Sequence, residues 1–418
     1  MRAGDQEHNG GPSPPVSKAA LPTLIAVLFI NLVGFGLVIP LLPFYGQAFH
    51  APAWQIALLF SAYPLGMFFG EPFWGGLSDH LGRKPLLIST VVGNCLCYLA
   101  LAFVSSWPMA FAVRLLGGVM SGNIAVVQGY IADITPPEHR AGRMALMGVA
   151  FNVGFIVGPS LSGLLAKPEL GIVGFRLPLL LAAGLSGLSA ICIILFVRES
   201  RARGAPGAKR PNRFALFGDA ARNPVVGRLM LLTLFAGAAF AGVEATFALW
   251  GQHRFGWGPR DVGLIFGIVG VTAAFSQFFL TGRLSRRFGE ARVLAAGMVL
   301  TSLAALLQPF STGFATSALL MAAIAFGQSV AFPNVAALIT RSVSHENRGG
   351  FLGLNNASGA LARVVGPLAA GVAISAGLYD GPFWLSAAMT IPAVFVALAA
   401  GRAVKRARAA IASEPGLP

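Results

Sequence analysis

Four charged side chains lie deep inside apolar stretches of the sequence. Two are acids, Glu71 in GMFFGEPFWGG and Glu244 in AFAGVEATFALW. The other two are cations, Arg114 in AVRLLGG and Arg363 in GALARVVGP. A charged side chain at the centre of a bilayer costs at least about 2.5–3.5 kcal/mol on insertion scales, so such residues serve a function or are neutralised by a partner.

An acid that takes a proton from one side of a membrane and releases it to the other couples proton movement to another process. By the 1.5 Å rise of a helix, Arg363 lies about 20 Å and Glu244 about 28 Å from the cytoplasmic ends of their stretches, so Arg363 can reach either acid. We predict that Glu71 and Glu244 titrate, with Arg114 and Arg363 as counter-charges. The alternative for each acid is a static ion pair or a neutral, hydrogen-bonded carboxyl, and for Glu71 also a latch that extends the charged network around Asp79 into the span.

The composition is that of a polytopic membrane protein. Of the 418 residues, 56% are hydrophobic and 11% are charged, and the mean hydropathy is +0.73. A helix needs about 20 apolar residues to cross a bilayer. We predict an all-α integral membrane protein with transmembrane helices at residues 22–45, 55–77, 85–104, 109–133, 142–165, 175–197, 225–250, 261–281, 291–310, 314–340, 350–376 and 381–401.

Most of the Lys and Arg residues that give the formal net charge of +15 lie in the loops and tails between and beyond the predicted helices. With both termini inside, four of the 30 Lys and Arg fall outside, Lys167, Arg176, Arg254 and Arg260, two fall within spans, and the rest are cytoplasmic. This bias sets the orientation of membrane proteins, so we expect a multi-pass protein of the bacterial inner membrane that contacts lipid, not nucleic acid. We expect no metal site and no cofactor, with the proton gradient as the energy source, and a monomer.

The chain repeats itself halfway. GGLSDHLGRK (75–84) recurs as GRLSRRFGEA (282–291), and EHRAG (138–142) recurs as ENRGG (346–350). GPSLSG (158–163) recurs as GPLAAG (366–371). Two six-helix halves related by repetition place a substrate site between them near the midplane. The predicted organisation is a cytoplasmic tail (1–20), a six-helix bundle (21–197), a basic cytoplasmic linker (198–224), a second six-helix bundle (225–403) and a cytoplasmic tail (404–418).

Three motifs carry a resemblance to the major facilitator superfamily. GGLSDHLGRKP resembles its loop between spans 2 and 3, AVRLLGGVMSGNIA its span-4 motif, and GVAFNVGFIVGPSLSGLL the span-5 motif of its exchangers. The sequence around GFGLVIPLLPFY and YIADITPPEHRA is most similar to the tetracycline and multidrug proton antiporters. The resemblance implies the major facilitator fold and assigns proton coupling to Arg114. It also implies a conformational latch of Gly75, Asp79, Arg83, Lys84, Asp133 and Arg140, in which Asp79 faces the start of span 11.

Span 5 is rich in glycine and contains one proline. The resemblance implies an antiporter helix built on Gly148, Gly154, Gly158, Pro159 and Gly163. From the spacing we predict that Gly154, Gly158 and Gly163 roughly share one face, against which another helix packs closely. Pro159 removes a helical hydrogen bond and favours a kink. The alternative is that Gly and Pro are simply common in membrane helices.

A pocket for an amphipathic ligand joins apolar walls to a few polar anchors. Tetracycline exporters carry aspartates in spans 1 and 3, whereas this chain has Asn31 and Cys97 at the aligned places, which leaves tetracycline open as a substrate. The predicted substrate-cavity residues are polar or aromatic residues within spans: Asn31, Phe35, Asn123, Gln128, Asn152, Phe155, Phe240, Phe247, Gln328, Asn334 and Asn356.

These features predict a proton-coupled exporter of small lipophilic or amphipathic compounds that works by alternating access. One alternative is a dedicated transporter of a metabolite, siderophore, sugar or lysolipid. A second, an intramembrane enzyme, is disfavoured because the sequence has no His cluster, paired catalytic carboxylates or nucleophile motif.

Overall fold

The computed structural model describes residues 20–200, 224–343 and 348–413, and most of the predicted linker and both tail ends lie outside this part. Within it, twelve helices are long and apolar enough to cross a membrane, which confirms the predicted fold class. The first six are α1 (Leu21–Gln47), α2 (Ala53–Leu81), α3 (Arg83–Phe103), α4 (Trp107–Ile134), α5 (Gly142–Leu165) and α6 (Pro168–Phe196). The second six are α7 (Val225–Phe255), α8 (Pro259–Phe288), α9 (Glu290–Phe310), α10 (Phe314–Ser342), α11 (Gly349–Ser375) and α12 (Gly381–Ala403).

Two of these spans depart from regular α-helix in ways that bear on the site. The α4 span consists of helices Trp107–Met120 and Asn123–Ile134, joined by a turn at Ser121 and Gly122. In α8, residues Ser276–Thr281 form a π-helical turn, and the Thr281 hydroxyl donates to the Ser276 carbonyl at 3.0 Å. Broken helices and π-turns are enriched at binding sites, because they free or re-aim backbone and side-chain groups.

The helices pack as two groups with matching partners. In the first group α1 packs on α5, α2 on α4 and α3 on α6. In the second group α7 packs on α11, α8 on α10 and α9 on α12, which is the same pairing six helices later. The two groups meet through α2 against α11 and α5 against α8.

Contacts between the groups close one end of the bundle. We call the end at which the described chain starts and finishes the terminal end, and the other the opposite end. At the opposite end a Cβ on Gly163 would lie 2.6 Å from the carbonyl oxygen of Pro259, so α5 and α8 touch through backbone. The Gln47 amide donates to the Gln252 side chain at 2.6 Å, and the Trp54 N–H donates to Ser375 Oγ at 3.0 Å. These contacts seal the opposite end.

Candidate functional site between the two halves

Three of the four charged residues inside the spans meet at the centre of the bundle. Glu244 on α7, Arg114 on α4 and Arg363 on α11 line one cavity of about 30 Å³, which we call the acid cavity. That volume holds one or two water molecules. Apolar and proline side chains, Phe35 and Pro64 among them, form the rest of its wall.

Glu244 is buried and only partly satisfied. Its residue is 8% exposed, and no hydrogen-bond partner within the described residues reaches its Oε1 atom. An ionised carboxylate away from water needs a counter-charge, and an oxygen without a donor suits the neutral acid or a nearby water molecule. Arg114 and Arg363 are the cations that face it across the cavity.

Arg114 is held in place by its surroundings. The residue is 4% exposed, its Nε donates to the Leu59 carbonyl at 3.4 Å, and its guanidinium lies 4.8 Å from the centre of the Tyr63 ring. Arg over an aromatic face is a favourable arrangement, worth about 2 kcal/mol or more when desolvated. Arg114 is therefore the fixed cation of the acid cavity.

A larger cavity of about 170 Å³, the N-side cavity, lies between α1, α2, α3, α4 and α11. It includes the predicted residues Asn31, Phe35 and Asn123. Asn123 begins the second segment of α4, directly after the break at Ser121. The wall also contains residues that sequence reasoning missed, all on helices already predicted: Tyr63, Met67, Asn94, Tyr98 and Ser121.

The matching C-side cavity of about 240 Å³ lies between α7, α8 and α10, with α5 and α11 at its edge. Predicted residues Phe155, Phe240 and Gln328 line it. Gln277 lines it as well, and this residue lies in the π-helical turn of α8. Arg363 lines the acid cavity, the N-side cavity and the C-side cavity, and no other described residue lines all three. Its side chain therefore lies between the two halves.

The other predicted cavity residues lie elsewhere. Phe247 is fully buried in an aromatic cluster with Trp250, Trp257 and Phe266, because aromatic rings pack best against each other in a tight core. Asn334 is 2% exposed and is used for packing between helices, where it accepts from Ser285 Oγ at 2.8 Å. Gln128 and Asn356 are exposed and line none of the three cavities, and the Asn152 side chain lies outside the described part.

Glu71 does not join the acid cavity. It is half-buried on α2, two turns nearer the terminal end than Pro64, and it lines none of the three cavities. The structure thus separates the two acids that the sequence presents as equivalent, and Arg363 shares a cavity with Glu244 alone. The physical reason is distance along the helix axis: seven residues are nearly two full turns, so Glu71 lies on about the same face as Pro64 but about 10 Å nearer the terminal end.

A charged network lies at the terminal end of the first six-helix group. Arg83 Nη2 contacts Asp79 Oδ1 at 2.8 Å and Arg83 Nε contacts Asp133 Oδ2 at 3.0 Å. Arg83 is 5% exposed and also donates to Ser78 Oγ, whose own hydroxyl donates to the Gly75 carbonyl at 2.9 Å. The Lys84 ammonium donates to the Ile194 carbonyl. The predicted latch residues therefore meet except for Arg140, whose side chain lies outside the described part, and latching itself stays a prediction.

Glu199 is a member of this network that sequence reasoning missed. Its carboxylate accepts the backbone N–H of Arg83 at 2.8 Å and of Lys84 at 3.1 Å, which caps the start of α3. A carboxylate at a helix N-terminus satisfies free N–H groups and faces the positive end of the helix dipole. The signal in the sequence is an acid that stands between Arg198 and Arg201 in an otherwise basic segment.

Glu199→Ala is expected to lower the thermal unfolding midpoint of the purified protein, because it removes both hydrogen bonds at the α3 N-terminus. The loss of such a cap destabilises by about 0.5–2 kcal/mol. Glu169→Ala removes an exposed acid from the first turn of α6 and serves as the control. Equal midpoints for the two variants, measured in the same detergent, would contradict the capping role.

The glycines of α5 face two helices rather than one. A Cβ on Gly154 or Gly158 would meet α1, at Leu32 and Gly36 respectively, whereas one on Gly163 would meet α8. The expectation of a shared face is wrong for Gly163, since nine residues after Gly154 the helix has turned by half a revolution. Pro159 stands at the junction of both contacts: its ring lies against Gly36 and its carbonyl oxygen against Gly263. Gly148 has open space around it.

Two pseudo-equivalent six-helix groups, closed at one end around a central cavity lined by three charged residues, define a multi-pass membrane carrier. The chain belongs to the Major Facilitator Superfamily, whose family model matches residues 24–279 and 252–416. Members of this family act on small-molecule substrates.

Several relatives of this chain are drug-resistance proteins. The chain is 30% identical over 380 residues to the class C tetracycline resistance protein of Escherichia coli, covering 88% of this chain and 93% of the relative. It is 26% identical to multidrug resistance protein 2 of Bacillus subtilis, covering 84% and 87%. Among solved structures, a bacterial homologue of the human lysosomal transporter Spinster, in an inward-facing and occupied conformation, matches with a TM-score of 0.75 at 16% identity, covering 94% and 98%.

Proposed function

We propose that this protein is a proton-coupled exporter of small lipophilic or amphipathic compounds, working by alternating access. The observation that carries the proposal is the acid cavity: a buried carboxyl, Glu244, faces two arginines between two larger cavities with mainly apolar walls. The relatives named for tetracycline and multidrug resistance support the substrate class. A proton gradient is the energy source, no cofactor takes part, and the functional unit is a monomer in contact with lipid.

Exchange of protons for substrate requires that protonation of Glu244 and binding of the substrate disfavour each other. When Glu244 is ionised, its charge offsets Arg363, and the cavity wall accepts an apolar ligand. When Glu244 is protonated, Arg114 and Arg363 face the cavity without a carboxylate, and an apolar ligand beside unpaired buried charges is unfavourable. Substrate therefore favours the ionised acid, and by linkage the proton favours the empty cavity.

The orientation indicates the side to which this conformation is open. The positive-inside distribution supports a cytoplasmic terminal end, so the sealed opposite end faces outward and an exporter would load the N-side and C-side cavities from the cytoplasm or inner leaflet. The likeness to a structure titled inward-facing supports this assignment. Reopening at the opposite end would release substrate outside and admit a proton to Glu244.

Inverted membrane vesicles with an acidified interior test the proposal. The compounds added are a panel of lipophilic cations, tetracyclines, phenicols and neutral drugs, and the readout is loss of the proton gradient in vesicles with and without the protein. Gradient loss with several unrelated compounds, dependent on the protein, is the expected result. A response to none of them, with the protein present in the membrane, would contradict multidrug export and favour a dedicated metabolite carrier.

A further inference from the structure

A cavity of about 300 Å³ with four charged residues in its lining opens at the terminal end of the second six-helix group, away from the transport site. It lies where α9 begins and where α10 and α12 reach the same membrane level. Its charged lining consists of Arg292, Arg341 and Arg402 together with one acid, Glu290. We call it the arginine cavity.

The acid is already neutralised. Arg341 and Glu290 form a two-pronged ion pair, in which Arg341 Nη1 donates to Glu290 Oε2 at 3.1 Å and Nη2 contacts Oε1. Arg292 and Arg402 have no ion pair or hydrogen bond with any other residue of the described chain, and both are exposed. The arginine cavity therefore keeps two cations that an anion can neutralise.

An apolar groove of about 400 Å³ adjoins this cavity. Phe288 and Arg292 line both, so the two spaces lie side by side at the start of α9. From Arg292 the groove follows α9 to Leu300, eight residues or about 12 Å toward the membrane centre. Its remaining wall is apolar, with Val293, Ala296 and Val330 among the lining residues.

The internal repeat shows how an anion fits at such a place. Gly82 before α3 and Gly289 before α9 have the same backbone conformation, with φ of 99° and 85°. In the first group the Glu199 carboxylate fills the space at Gly82 and accepts the N–H groups that start α3. At Gly289 no atom of the described residues lies within 4 Å of where a Cβ would stand, and the space belongs to the arginine cavity. Among the described residues of the second group no side chain caps this helix start, and arginines line the space.

We propose that this site binds one anionic phospholipid of the adjoining leaflet, with its phosphate between Arg292 and Arg402 at the start of α9 and an acyl chain in the groove. Basic pockets between transmembrane helices on the cytoplasmic side suit such headgroups. The groove selects a lipid over free phosphate, because only a lipid fills the apolar and the charged space together.

The test uses the purified full-length protein in detergent, titrated with phosphatidylglycerol, phosphatidylcholine or inorganic phosphate. Binding is followed by native mass spectrometry and by the rise in the unfolding midpoint. Each surface cation contributes about 1 kcal/mol to binding of anionic lipid, so Arg292→Gln/Arg402→Gln is expected to weaken phosphatidylglycerol binding about thirtyfold. Arg286→Gln/Arg287→Gln removes the same charge from the neighbouring end of α8, at residues that line neither space, and wild-type affinity is expected for it.

A second variant separates the lipid from free phosphate. Ala296→Phe fills the groove and leaves every arginine in place, so it is expected to weaken phosphatidylglycerol binding while any response to inorganic phosphate stays unchanged. Phosphatidylglycerol binding that survives Arg292→Gln/Arg402→Gln would overturn the site. An equal effect of the Arg286→Gln/Arg287→Gln control would overturn its specificity, and stabilisation by phosphate alone, insensitive to Ala296→Phe, would overturn the lipid.

Discussion

Glu244→Gln is expected to abolish substrate-driven loss of the proton gradient and to make substrate binding independent of pH. Glutamine has nearly the same shape as glutamic acid, so the packing around the buried side chain is kept. It cannot ionise, so the cavity is fixed in the electrostatic state that a proton produces. Because that state disfavours substrate, the variant should bind at every pH with the weak affinity that the wild type has at low pH. The wild-type affinity should rise with pH as Glu244 ionises. Equilibrium binding across a pH series, beside the vesicle assay, measures both effects.

Glu71→Gln is the matched control, because it removes the other acid of the spans without changing the acid cavity. It is expected to keep both the pH dependence of binding and the gradient loss. If Glu71→Gln alone abolished coupling, the proton carrier would be Glu71, and the acid cavity would hold a static charge cluster. If both variants kept the pH dependence, neither acid would couple protons to transport.

Arg363→Gln added to Glu244→Gln tests the reason for the coupling. With glutamine at position 363, the cavity wall no longer carries the Arg363 charge that opposes an apolar ligand when the acid is neutral. Substrate binding by the double variant is expected to exceed that by Glu244→Gln alone, while coupling stays absent. A double variant that binds still more weakly would mean that Arg363 holds the substrate directly.

The fold was predictable because its physical signals, length of apolar stretches and repetition of motifs, can be read directly along the sequence. Long charge-free windows such as 293–340 require helices in a bilayer, and the three repeated motifs identify two related halves. The turn at Ser121 and the π-helical turn at Ser276–Thr281 were not predictable, since Gly, Ser and Thr occur throughout these spans. Only packing against neighbouring helices decides which of them interrupts an α-helix.

The charged residues of the site were predictable from the sequence, whereas the uncharged residues that line its cavities were less so. Glu244, Arg114 and Arg363 are conspicuous because ionisable groups are rare in a membrane. A tyrosine or asparagine gives no such signal: Tyr63 and Asn94 line the N-side cavity, whereas Asn334 serves packing and Phe247 a closed aromatic cluster. Their rotational position depends on contacts between helices that the chain makes only after folding. The spacing of Asn94 and Tyr98, four residues apart on one helix face, is the signal that could have found this wall.

Gly163→Val is expected to prevent closure of the opposite end and to reduce transport strongly. A Cβ at this position would stand 2.6 Å from the Pro259 carbonyl oxygen and 3.2 Å from the Arg260 Cα atom, and backbone cannot move aside as a side chain can. Overpacking of this kind costs about 1–3 kcal/mol, which shifts a two-state equilibrium about 5- to 150-fold. The interior of each six-helix group is not touched, because the clash lies between α5 and α8.

Closure can be measured by crosslinking Gln47→Cys/Gln252→Cys with a bifunctional thiol reagent, since the two long side chains at these positions hydrogen-bond across the opposite end. The crosslinking yield is expected to be high in the otherwise wild-type chain and to fall when Gly163→Val is added. Gly184→Val, at a glycine with open space around it on α6, should leave the yield unchanged. A yield that survives Gly163→Val would mean that the two halves approach each other without the backbone contact of α5 and α8. Alternating access would then depend on α2 and α11, where Gly371 lies against Ala57 and the Ala53 carbonyl.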